Sequence, residues 1–75
     1  MSRERAKVLN DEGIRVAQSG NAELAKQKLL AAIREDPTWG IPWNNLSVVY
    51  RDLGDTAEAM RCTRKGFELG APLPY

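Results

Sequence analysis

Apolar residues recur three and four positions apart along this chain, and nowhere do they alternate with period two over the length of a strand. Val8, Leu9, Val16 and Ala17 predict a first helix over about 5–17, with Ser2 as its N-cap and the glycine of "QSGN" (18–21) as its stop. Asn21 caps a second helix, 22–35, whose Ala25, Leu29, Ala32 and Ile33 lie between Glu23 and Glu35. The segment "DPTWGIP" (36–42) holds two prolines and a glycine, so no helix passes through it. Pro42 suits the first turn of a third helix, 42–53, with Trp43, Leu46, Val49, Tyr50 and Leu53 on its apolar stripe and Gly54 behind it. Asp55 caps a fourth, 56–69, closed by Gly70 and Pro72. Four helices of three to four turns with short loops predict an all-α fold of two antiparallel hairpins. The predicted core is Trp43, Leu46, Tyr50, Ala25, Leu29, Ile33 and Ala59.

The two hairpins share a register. An offset of 34 residues sets Gly20 on Gly54, Ala25 on Ala59 and Asn10 on Asn44. It also pairs Gly13 with Ser47, Asn21 with Asp55, Ile14 with Val48, Ala32 with Gly66 and Ile33 with Phe67. Residue classes agree where geometry is strict: turn glycine, cap, small contact residue, apolar face.

These residues resemble the tetratricopeptide repeat, a helix–turn–helix unit with a period of 34 and the pattern W-x₂-L-G-x₂-Y…A-x₃-F…P. The second unit reads Trp43-x₂-Leu46-Ser47-x₂-Tyr50, Leu53-Gly54-Asp55, Glu58-Ala59. The first reads Leu9-x₂-Glu12-Gly13-x₂-Val16, Gly20-Asn21, Ala25-x₃-Leu29, Ala32 and Pro37. The resemblance spans repeats of about 6–39 and 40–73 in a single domain, 1–75, and implies a fragment of a right-handed α-solenoid. Thr63, Glu12 and Ser19 depart from the family's apolar preference, and Pro72 falls one residue late.

By resemblance, the first helix of each unit lines a concave groove for peptides or protein segments. That groove would carry Lys7, Asn10, Ile14, Ala17, Asn44, Val48 and Arg51. Asn45 joins it as the match to one asparagine of the carboxylate clamp that some members use. Asn10 and Ile14 stand where that clamp has a lysine and a second asparagine, so a clamp is not predicted, and Asn45 is expected to bond to backbone.

Composition narrows the remaining chemistry. Seventy-five residues make one small domain, which buries only about 60% of its unfolded surface. The lone Cys62 makes no internal disulfide, and without histidine neither a zinc site nor a histidine base is expected. Arg61 and Arg64 flank Cys62 in a setting that lowers a thiol pKa, yet a partnerless helix cysteine is the plainer reading. Asp11-Glu12 and Glu35-Asp36 are helical neighbours that point apart, and the isolated glycines form no phosphate loop. A net charge of +1 argues against a nucleic-acid partner. No apolar run approaches the ~20 residues of a membrane span, and the N-terminal stretch has no signal-like apolar centre. The sequence thus predicts a non-enzymatic, cofactor-free cytoplasmic protein.

The last helix carries the functional expectation. Leu29, Leu30 and Ile33 of the first repeat are to be covered by the third helix, whereas their counterparts Thr63, Arg64 and Phe67 have no following helix in this sequence. Repeat arrays usually need about three units. Met60, Thr63, Phe67, Leu69 and Tyr75 are therefore the predicted self-association surface of a homo-oligomer, with "PLPY" extended along a neighbour. The alternative is a monomeric adaptor, or part of a longer repeat protein, holding a partner segment in the groove.

Overall fold

A computed structural model describes residues 1–72, so Tyr75, predicted at the association surface, and most of "PLPY" lie outside the described residues. The described chain is all-helical: α1 (Arg3–Gln18), α2 (Ala22–Glu35), α3 (Ile41–Asp52) and α4 (Thr56–Glu68). Each boundary falls within two residues of the sequence expectation. Local chemistry explains the agreement. Ser2 accepts from the Arg5 N–H, Asn21 from Leu24 and Asp55 from Glu58, while Pro42 occupies the first turn of α3.

The turns inside the two hairpins are closed in the same way. Gly20 and Gly54 have φ of +93° and +83°, the left-handed region that a side chain resists. The N–H groups of Ser19, Gly20 and Asn21 donate to the carbonyls of Arg15, Ala17 and Val16. Those of Leu53, Gly54 and Asp55 donate to Val49, Arg51 and Tyr50, each 34 residues on. The caps that follow match as well: Asn21 has φ −101° and ψ 78°, Asp55 φ −99° and ψ 79°.

The helices pack in chain order, α1 on α2, α2 on α3 and α3 on α4, with α1 also touching α3. Small residues let the first pair approach. A Cβ built on Gly13 would stand 2.9 Å from Leu29 Cγ and Cδ2, and Leu29 is fully buried. At the same places in the second hairpin, Ser47 and Thr63 bring their hydroxyls within 2.6 Å. Thr63 donates its own proton to the Ala59 carbonyl, which makes Ser47 the donor. A tight Gly–Leu contact in one hairpin thus becomes a hydrogen-bonded Ser–Thr contact in the other.

The core cluster is Ala25, Leu29, Leu46, Val49 and Cys62. Ala59 is buried too. Trp43, Tyr50 and Ile33, also expected in the core, pack against this cluster and are less deeply enclosed than its members. The Tyr50 ring has Lys26 Nζ 5.9 Å from its centroid, a cation held at a wet edge. The loop the sequence marked only as helix-free is a clasp. Asp36 Oδ1 accepts from both the backbone N–H and the hydroxyl of Thr38, and Asp36 Oδ2 accepts from Arg3 Nε at 2.5 Å. The Arg3 guanidinium also sits over the Trp39 ring, pinning the start of α1 to the loop.

Candidate functional site

Two surfaces gather the residues singled out in the sequence. The first is a cleft of about 170 Å³ between α1 and α3, lined by Gly13, Ile14, Ala17, Gln18, Leu29, Asn45, Val48 and Val49. It unites Ile14, Ala17, Asn45 and Val48 of the predicted groove. Lys7 is exposed but does not line it, and Arg51 lines the other surface instead.

Asn10 and Asn44 correct the groove expectation. They are only 4% and 8% exposed, so neither side chain is presented to a ligand. Asn10 Oδ1 accepts from Asn45 Nδ2 at 2.9 Å, and Asn44 Nδ2 donates to the Pro72 carbonyl. Asn45, expected to bond to backbone, bonds instead to the Asn10 side chain while also lining the cleft. The physical reason is helix spacing: α1 and α3 lie near enough for one side-chain amide to bridge them. Asn44 Oδ1 is buried and has no partner among the described residues.

The second surface lies on the outer side of α3 and α4. A cleft of about 280 Å³ is lined by Ser47, Arg51, Thr56, Ala59, Met60, Thr63 and Arg64. Met60 and Phe67 are each 62% exposed, the two large apolar side chains that α4 offers to solvent. Thr63 is half-buried at the cleft floor through its bond to Ser47. Leu69 is also half-buried; its Cβ stands 3.1 Å from where a Cβ on Gly40 would be, so it folds back on the α2–α3 loop.

Subtracting 34 from each lining residue of this cleft gives Gly13, Ala17, Ala22, Ala25, Lys26, Leu29 and Leu30. In the first hairpin Ala17, Ala22, Ala25, Leu29 and Leu30 belong to the packed core with Leu46 and Val49 of α3, and Lys26 sits over Tyr50. The outer face of the second hairpin is thus the positional counterpart of a face that is covered in the first. Its composition differs from that counterpart: arginines replace Ala17 and Leu30, and hydroxyls replace Gly13 and Leu29.

Titratable groups are quiet. Burial, with Glu58 nearby, pushes the Cys62 thiol up to about 11, so it stays protonated and unreactive at neutral pH. The flanking arginines that suggested an activated thiol do not offset that burial. Thr38 and Arg3 hold the Asp36 carboxyl below its ordinary value. Burial raises the Tyr50 phenol. Among the described residues, no three His, Cys, Asp or Glu side chains stand close enough to share a metal ion, and no helix is long and apolar enough to cross a membrane. The chain matches no family model and no curated protein.

Two features escaped sequence reasoning. The Asp36 clasp had a signal in Asp-Pro-Thr, where an acidic side chain commonly bonds the backbone two residues on. The Asn10–Asn45 bridge had none, because it depends on the spacing of helices that are not adjacent in sequence.

Proposed function

We propose that this chain is a non-enzymatic protein-interaction scaffold, two tetratricopeptide-like repeats forming a short right-handed solenoid, and that it self-associates through the outer face of its second hairpin. One observation carries the reading. Arg51, Thr56, Ala59, Thr63 and Arg64 on that face are offset by 34 from residues of the core that α3 helps to cover in the first hairpin, while Met60 on the same face and Phe67 remain open to solvent. Small domains gain most from covering such a face, because their own core is thin. A contact of about 800 Å² on each partner is the ordinary size for a specific association.

Phe67→Glu tests the reading. A carboxylate placed in an apolar contact is costly, so light scattering after size exclusion should show the variant shifted towards monomer relative to wild type. Equal masses for both proteins at matched concentrations would remove the outer face from the contact.

The adaptor reading has its own support in the α1–α3 cleft, where Val48 is exposed beside Ile14 and Ala17. It predicts that Val48→Glu weakens capture of a protein segment and leaves the oligomer mass unchanged. Phe67→Glu should do the reverse.

A further inference from the structure

We propose that the association is head to tail: α1 of one copy docks on the outer face of α3 and α4 of the next, in the register that α3 uses on the first hairpin. The inference rests on the self-association reading and names its geometry and partner surface.

The argument comes from the 34-residue correspondence applied to both sides of the internal seam. On one side of that seam stand Trp43, Leu46, Val49 and Tyr50 of α3. Their counterparts in α1 are Leu9, Glu12, Arg15 and Val16. On the other side stand Gln18, Lys26, Leu29, Leu30 and Ile33, whose counterparts are Asp52, Met60, Thr63, Arg64 and Phe67. Transferring the internal contacts to two copies gives a matched set. Tyr50 over Lys26 becomes Val16 over Met60, an aromatic–cation pair replaced by an apolar pair. Leu46 in one cluster with Leu29 and flanked by Leu30 becomes Glu12 beside Thr63 and Arg64. Val49 and Gln18, which line one cleft, become Arg15 and Asp52 lining the corresponding cleft between two copies. Leu9 and Phe67 take the places of Trp43 and Ile33, which both pack against the central cluster.

Met60 and Phe67, the apolar side chains left open on α4, therefore meet Val16 and Leu9 of α1, Asp52 meets Arg15, and Arg64 meets Glu12, which within the single chain is paired with Lys28 of α2 at 3.1 Å. The substitutions Leu29 to Thr63 and Leu30 to Arg64, which make the outer face unlike a repeat interior, fall opposite Leu46 to Glu12, one of the two polar changes that make α1 unlike α3. A two-fold pairing of the outer face with itself lacks this match. It would bring the Arg51 and Arg64 side of one copy onto the same basic side of another. A head-to-tail contact uses two different patches, so it propagates from copy to copy unless the rotation closes a ring.

Arg15 and Asp52 are both exposed and carry no ion pair within the described chain, which makes them the cleanest handle. Arg15→Asp gives a protein with Asp at both positions, and Asp52→Arg gives one with Arg at both. Circular dichroism should show native helicity in each. Sedimentation equilibrium should show each single variant associating about five- to tenfold more weakly than wild type, as reversal of an exposed ion pair allows. An equimolar mixture of the two single variants should recover wild-type association, because each head then finds an opposite charge on the other protein's tail. The Arg15→Asp/Asp52→Arg double variant should also recover it. If wild type stays monomeric at every concentration, the self-association reading fails and this inference with it. If wild type associates and Arg15→Asp associates equally well, self-association stands and the head-to-tail geometry is overturned.

Discussion

Asn45 of α3 donates its side-chain N–H to Oδ1 of Asn10 in α1 across 2.9 Å, a direct polar tie between the two hairpins. Asn10 is buried, so removing the donor leaves an acceptor with no water to turn to. Asn45→Ala should cost about 1–3 kcal/mol by that argument. The paired Asn10→Ala/Asn45→Ala protein should lose less than the sum of the two single losses, since both ends of the bond are gone. Chemical denaturation of the four proteins measures this. Strict additivity would mean that the bridge contributes nothing.

The core ranks its members by depth rather than size. Leu46 is 1% exposed within the central cluster, whereas Trp43 is half-buried at its rim. Leu46→Ala should therefore cost about 3–4 kcal/mol, within the range for deep aliphatic truncations. Trp43→Ala should cost less than that, below the about 3–5 kcal/mol of a fully buried tryptophan. Urea midpoints at equal slope read the order directly, and a larger loss for Trp43→Ala would contradict it.

Acid should weaken the clasp at the start of α1. Asp36 titrates below its ordinary 3.8 because Thr38 and Arg3 favour the carboxylate. A lowered folded value means that its contribution is complete above 3.8 and is lost as pH falls below that towards the folded value. Asp36→Asn should flatten the acid side of the stability profile and leave the neutral side with a uniform deficit. An unchanged acid limb in that variant would assign the acid sensitivity to other carboxylates.

Cys62 gives a reactivity test of the same packing. With its thiol raised to about 11 by burial, the folded protein should react with iodoacetamide at neutral pH far more slowly than the unfolded chain, where the thiol returns to its ordinary 9.0. The raised value also means that stability is fully present below 9.0 and falls as pH rises towards 11. Labelling followed by mass spectrometry, with and without denaturant, checks the first statement. Equal rates would place Cys62 outside the core.

The helices were legible because their determinants are local. Ser2, Asn21 and Asp55 cap, Gly20 and Gly54 terminate, and Pro42 opens α3, each acting within a few residues of itself. The 34-residue correspondence of the hairpin turns was legible for the same reason. What the sequence missed depends on distance in space. Trp43, Tyr50 and Ile33 carry a helical core pattern and do pack on the cluster, but how deeply each is enclosed is decided by neighbouring elements and is not written in the stripe. Asn10 and Asn44 share the groove stripe of their helices yet are enclosed, Asn10 by the neighbouring α3 and Asn44 by the turn after α4. Of the association surface, Met60 and Phe67 were legible as an exposed apolar pair. The inward turn of Leu69 was not, since it follows from the close approach of Gly40.

The central claim is that a second copy covers the outer face of α3 and α4, and the solution mass of the wild-type protein tests it most directly. Sedimentation equilibrium over a dilution series from high to low micromolar should give a weight-average mass that rises with concentration above the 8.4 kDa of a single chain. A mass that stays at 8.4 kDa across the whole series would contradict the account and leave Met60 and Phe67 as an isolated pair of exposed side chains.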